Sequence, residues 1–152
     1  MTSAHVRQAV FEDIEDLIPL FDGYRQFYGQ PSDTAAARQF LQARFNHGES
    51  VLFLARDGAQ PVGFTQLFPS FSSVAMQRVF ILNDLFVDPG HRRSGVGKCL
   101  LDAATGYARL MGAVRVSLST DIRNTTAQAT YEALGWNRDR DFFAYHFRPV
   151  TG

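Results

Sequence analysis

Residues 79–101 read VFILNDLFVDPGHRRSGVGKCLL. From Val79 to Val87 the run is apolar except for Asn83 and Asp84. Such a run predicts a strand buried on both faces. Pro89 and Gly90 end it, and a loop rich in glycine and positive charge follows. From Val96 the apolar spacing changes: Val96, Leu100, Ala104, Ala108 and Met111 lie on one helical face, predicting a helix over 96–111 that Gly112 stops. The loop therefore empties into a helix N-terminus, where unpaired N–H groups and the dipole favour an anion. Gly95 and Gly97 let the backbone come close to a ligand because no Cβ stands in the way. Arg92, Arg93 and Lys98 add positive charge, so a phosphate or pyrophosphate suits the segment.

Three phosphate-binding loops can be compared with it. A Walker A loop needs Lys followed by Ser or Thr and a glycine further upstream; here Cys99 follows Lys98, and Arg92 stands where that glycine should be. A dinucleotide fingerprint begins at Gly95-Val96-Gly97, but its third glycine position holds Leu100. The remaining pattern is Arg or Gln, two residues, Gly, one residue, then Gly or Ala, and Arg92, Gly95 and Gly97 satisfy it. On their own, the same glycines also suit a bare strand-to-helix turn.

Upstream, residues 5–10 read as a short strand. Ile14, Leu17, Ile18, Phe21, Arg25 and Tyr28 then form a helical stripe beginning near Phe11, which Pro19 is expected to kink or split. A turn at residues 29–33 leads to a second helix over 34–45, stopped by Asn46 and Gly48. Residues 51–56 and 61–68 read as a hairpin about a turn at 57–60. Downstream, Val114, Val116 and Leu118 alternate with polar residues, giving a strand. Asn124 caps a short helix carrying Ala127, Tyr131 and Leu134, which Gly135 closes. Residues 142–147 read as the last strand. The strand–helix–strand unit is expected to be a right-handed parallel crossover. The whole is an α/β (α+β) domain with a mixed, mostly antiparallel sheet and helices on both faces, a single domain over 1–152.

Composition bounds the function. A chain of 152 residues buries roughly 70% of its unfolded surface and needs no metal or disulfide for a core. Lys+Arg and Asp+Glu are both 15, so the net charge is zero and a globally basic nucleic-acid binder is disfavoured. The His91-Arg92-Arg93 run is too short to reverse that. The lone Cys99 fits a reducing cytoplasm and reads as core. The N-terminal residues show no signal peptide, and no stretch is apolar for long enough to span a membrane. His5, His47, His91 and His146 are far apart, so no metal site is expected. Phe, at 14 residues, points to an aromatic core or an aromatic-lined pocket.

The stretch ILNDLFVDPGHRRSGVGKCLL resembles the central strand, pyrophosphate loop and helix of the GNAT superfamily of acyl-CoA-dependent N-acyltransferases. NTTAQATYEALGW, starting at Asn124, is similar to that family's second motif. More loosely, FTQLFPSFSSVAMQRVFILNDLFV resembles the polyamine and diamine acetyltransferase branch. The resemblance implies a sheet in which two parallel strands splay apart around acetyl-CoA. It implies that Leu85, Phe86 and Val87 line the pantetheine arm. Arg92, Arg93, Ser94, Gly95, Val96, Gly97 and Lys98 would hold the pyrophosphate, mainly through main-chain N–H groups. Asn124 would touch acetyl-CoA and Tyr131 would face its sulfur.

Tyr131 reads as a core aromatic by periodicity alone; under the resemblance its phenol assists departure of the CoA thiolate. Asp84, a carboxylate in an apolar strand, is the candidate base for the amine proton, unless neighbouring N–H groups simply satisfy it as a structural residue. Regular alternation would send Asn83 and Asp84 to opposite faces, and a bulge could alter this. Asn83 stands where the polyamine branch usually has an acid. Tyr24 and Tyr28, an i, i+4 pair, would border the acceptor pocket or else simply pack. The expectation is an acetyl-CoA-dependent N-acetyltransferase of a small primary amine, a diamine, polyamine, amino acid or similar, with a homodimer in keeping with the branch. The rivals are a non-catalytic acyl-CoA-binding module and an acetyltransferase of protein N-termini or lysines.

Overall fold

The computed structural model describes residues 3–150. The chain divides into two compact units, one up to Leu118 and one from Ser119. In the first, strand β1 (Ala4–Gln8) leads through a 3-10 turn at Phe11–Asp13 to helix α1 (Ile14–Phe27) and helix α2 (Thr34–His47). Strands β2 (Val51–Asp57), β3 (Gln60–Ser72) and β4 (Gln77–Val87) follow, then helix α3 (Val96–Leu110) and strand β5 (Arg115–Ser117). The sheet order is β1-β2-β3-β4-β5, antiparallel throughout except for the parallel β4–β5 pair. This is the mixed sheet that the sequence pattern implied.

Alternation along the strands separates two layers. Leu52, Leu54 and Phe64 pack with Ile14, Leu17, Ile18, Phe21 and Leu41 of α1 and α2. Phe53 and Phe80 instead meet the edge of Tyr107 on α3. The core face of α3 is Val96, Leu100, Leu101, Ala104 and Ala108, all buried; Met111 lies past the helix end and is exposed. Cys99 is half-buried rather than part of that core.

Pro19 does not split α1, which runs unbroken from Ile14 to Phe27. The proline is exposed, so the Glu15 carbonyl that loses a helical donor lies on the flank reached by water. Asp22 is buried on the same helix and fixes the connector to α2. Its carboxylate accepts from Gln26 Nε2 at 2.9 Å, Ser32 Oγ at 2.7 Å and the Asp33 N–H at 2.8 Å. Asp33 in turn caps α2 by accepting from the Ala36 N–H, and Gly48, at φ +61°, ends it.

Strand β4 departs from a regular ladder in two places. Gln66 faces Asp84 whereas Leu67 faces Leu82, so Asn83 is the extra residue of a β-bulge. The parallel ladder to β5 covers only Val79, Phe80 and Ile81, while β4 continues to Val87. The ladder therefore ends at Ile81, leaving that side of residues 82–87 without a strand partner among the described residues.

In the second unit, helix α4 (Thr125–Ala133) is capped by the Asn124 side chain, which accepts from the Ala127 N–H at 3.1 Å, and Gly135, at φ +94°, follows its end. No strand forms among the described residues from Ser119 onward, so the expected strand at residues 142–147 is corrected. Phe142, Phe143, Tyr145 and Phe147 are all exposed. A strand exists only through its ladder to another, and an aromatic-rich run in sequence cannot supply that partner.

Candidate active site

The loop after β4 is built by local hydrogen bonds. Asp88 accepts from the Gly90 N–H at 3.2 Å and sits 3.2 Å from His91 Nδ1, closing a 3-10 turn over Pro89–His91. Ser94 Oγ donates to the His91 carbonyl. Arg93 takes a left-handed conformation at φ +63°, and Gly95 does so at φ +89°. Gly95 stands at the N-cap of α3 and no side chain caps the helix there. The first N–H groups of α3 thus face outward, available to an anion. A Cβ placed on Gly97 would meet only Val87 Cγ2, at 3.9 Å. Folding therefore does not demand glycine at 97, and the absent side chain leaves room for a ligand instead. This loop fits the pyrophosphate of acetyl-CoA. Lys98 is engaged along the helix with Asp102 at 2.8 Å.

Asp84 is 2% exposed. Its carboxylate accepts from Gln66 Nε2 at 2.6 Å and from Asn83 Nδ2 at 2.8 Å. The bulge brings the Asn83 amide onto this carboxylate, where regular alternation would have separated the two. Thr65 Oγ1 donates to the Asp84 carbonyl at 2.7 Å. Burial pushes the Asp84 carboxyl above the usual carboxylate range, against hydrogen bonds from Asn83 and Gln66 that hold it down. A carboxyl raised in this way is a better proton acceptor near neutral pH than a solvated one. Gln66 is wholly buried, and its Oε1 has no protein partner.

Helix α1 brings aromatic side chains to the same strand. The Tyr24 hydroxyl donates to the Asn83 carbonyl at 3.0 Å. Tyr28, largely exposed, packs edge-on against Tyr24 at 5.1 Å between ring centroids. Phe86 turns toward α1, 6.5 Å from the Tyr24 ring, while Val87 turns toward Gly97 on α3. Leu85, Phe86 and Val87 are half-buried. Of the expected site residues, the first unit thus gathers Asp84, Asn83 and Tyr24 into one hydrogen-bonded group. Gln66 joins that group without having been singled out from sequence. The signal for it was a polar residue inside the apolar β3, but only the register shows that it faces Asp84.

Within the second unit, Asn124 Oδ1 is engaged as the helix cap. The Tyr131 ring packs against Trp136 at 6.1 Å, and the Trp136 N–H donates to the Tyr131 carbonyl at 2.9 Å. Among the described residues, no group of three or more His, Cys, Asp or Glu could hold a metal ion, and no helix is long and apolar enough to cross a membrane.

Comparison with known proteins agrees with this geometry. An uncharacterized N-acetyltransferase of Bacillus subtilis, YhfO, is 45% identical over 141 residues, covering 93% of this chain and 95% of the relative. A crystal structure of a probable acetyltransferase superposes with a TM-score of 0.90 at 41% identity, over 97% of this chain and 99% of the other. The aminoglycoside N-acetyltransferase AAC(6')-Iy, solved in complex with CoA, shares the fold at 22% identity and a TM-score of 0.78, over 97% of each chain. The family model described as Acetyltransferase (GNAT) family matches residues 16–136. With the glycine loop, the parallel β4–β5 pair and these relatives in accord, the chain belongs to the GNAT family of acetyltransferases.

Proposed function

We propose that this acetyltransferase, a single catalytic domain over 1–152, moves acetyl from acetyl-CoA directly to a primary amine of a small molecule, such as a diamine, a polyamine or an amino acid. The observation that carries this reading is Asp84: a buried carboxylate with a raised pKa, on the strand that leads into the glycine loop. An amine must lose a proton to attack a thioester, and such a carboxylate accepts one directly or through water. The new N–C bond forms as the C–S bond breaks, and the CoA thiolate takes a proton from the Tyr131 hydroxyl. Main-chain groups of Leu85, Phe86 and Val87 run beside the pantetheine arm. The N–H groups of residues 92–98 hold the pyrophosphate, and Asn124 contacts the same molecule. Tyr24 and Tyr28 border the amine. Asn83 gives its amide to Asp84, so a single carboxylate meets the amine.

The test is a panel of diamines, polyamines, amino acids and peptides offered with acetyl-CoA, following free-thiol release. Acetylation of a small amine supports the proposal. Turnover confined to peptide N-termini or lysines would replace it, and tight CoA binding without any turnover would favour a binding module.

A further inference from the structure

We propose that the Arg92 side chain is a strut that holds the end of α1 against the glycine loop, and that it does not act through charge on the phosphates of acetyl-CoA. The proposal rests on the acetyltransferase reading of this site and assigns a positioning role within it. Arg92 Nε donates to the Val87 carbonyl at 2.9 Å, which turns the side chain back over the end of β4. Its guanidinium carbon then lies 5.6 Å from the ring centre of Phe27 and 5.5 Å from that of Phe86. Both distances are within cation–π range. Phe27 is the last residue of α1, and Phe86 is on β4. One planar cation therefore links loop, strand and helix.

The helix so held is the one that carries the acceptor-side tyrosines. Tyr24, one turn before Phe27, donates to the Asn83 carbonyl beside Asp84. The approach of α1 to β4 is close: a Cβ on Gly23 would lie 3.2 Å from the Phe86 ring. Phe27, Phe86 and Arg92 line a cleft of about 690 Å³ whose other charged residues are Glu15, Asp16 and Asp88. Glu15 and Asp16 are ion-paired with Arg38 and Arg56, which lie outside the cleft lining, so Arg92 is the cation that lines it. The main-chain N–H groups of the loop remain free for the pyrophosphate, so the two roles divide between backbone and side chain.

The chemistry of the side chain gives the test. Arg92→Lys keeps the charge but loses the flat guanidinium and the Nε–H donor. Arg92→Gln removes the charge as well. Hydrogen exchange over residues 24–30 reads the hold on α1, calorimetry reads CoA affinity, and steady-state kinetics read the amine. In Arg92→Lys, exchange over 24–30 should quicken about tenfold while CoA affinity stays within about twofold. The KM for the amine should rise several-fold with little change in kcat. Phe27→Leu should reproduce these effects, and the two substitutions combined should add little to either alone.

The proposal is overturned if Arg92→Lys leaves the exchange of residues 24–30 and the amine KM unchanged. It is overturned equally if Arg92→Gln loses CoA affinity that Arg92→Lys retains, since that marks a charge contact to phosphate. If Arg92→Lys fails to fold, Phe27→Leu alone carries the same readouts. Absence of any amine acetylation by the wild type would overturn the proposed function instead, and exchange with calorimetry would still decide the role of Arg92.

Discussion

Gly97→Ala separates what the glycine loop needs in order to fold from what it needs in order to bind. The added Cβ would meet nothing nearer than Val87 Cγ2 at 3.9 Å, an ordinary van der Waals contact. Gly97 lies in the first turn of α3 and is not among the glycines with positive φ, so alanine suits its backbone. Alanine also restricts the unfolded chain and is the better helix former, worth about 0.5–1 kcal/mol in a helix interior. For a chain of this length that converts to a rise in Tm of roughly 1–4 °C. The same methyl group would stand where the phosphates must approach the N–H groups. CoA affinity should therefore fall at least about tenfold, and the bulkier Gly97→Val should abolish binding. Calorimetry with CoA and a thermal melt of the same preparation check both halves. Unchanged affinity in the stabilised variant would refute the loop as the pyrophosphate site. A lower Tm would refute the reading of free space around Gly97. Gly63→Ala is the contrasting control: its Cβ would stand 2.9 Å from the Phe86 carbonyl, so it should destabilise.

Asp84→Asn should lower the rate most near neutral pH, where the amine is largely protonated, and raising the pH should partly restore it. A pH–rate profile that drops in parallel at every pH, together with a lower Tm, would make Asp84 structural. Tyr131→Phe should keep the fold and lower kcat by about 10²–10⁴-fold; a kcat within about twofold of wild type would leave Tyr131 as packing only. The acid limb of stability should depend on Asp13. Burial pushes its carboxyl up, but hydrogen bonds from Arg7, the Val10 N–H and Arg56 outweigh this and hold the pKa at about 2, against an ordinary 3.8. The folded value is the lower one, so the stabilisation is present above about pH 4 and is lost as pH falls from about 4 to 2. It is worth about 2 kcal/mol, and Asp13→Asn should flatten that part of a denaturation–pH curve.

The parts of this molecule that could be read from sequence are those whose causes are local. The strand, the turn at Pro89 and Gly90, the glycines of the loop and the stripe of α3 lie within one stretch of chain, and each acts on its neighbours. The cap Asn124 was legible for the same reason, whereas Asp33 reads only as part of a turn. Gln66 was not, because its importance lies in facing Asp84 across a register with a bulge in it. The direction of the Arg92 side chain depends on Phe27, far away in sequence. Pro19 does not split α1, because its cost depends on which flank of the helix faces water. Residues 142–147 misled because an aromatic-rich run states a preference for strand and is silent on the partner.

The bulge at Asn83 works like a change of reading frame. Phe80 and Phe86 are an even number of residues apart, and an unbroken strand would point both to one side. Instead Phe80 meets Tyr107 of α3, whereas Phe86 meets Tyr24 of α1. The extra residue has inverted the phase of everything after it. Deleting Asn83 would leave every other pairing of the ladder in place, with Phe80 and Phe86 five residues apart, so a regular pleat would still send them to opposite sides; the loss would be the Asn83 amide on the Asp84 carboxylate. A deletion at Asn83 should therefore spare the contacts with both helices and act on the surroundings of Asp84 instead. The bulge is how the ladder absorbs one residue too many while the end of the strand still delivers its side chains to the two helices.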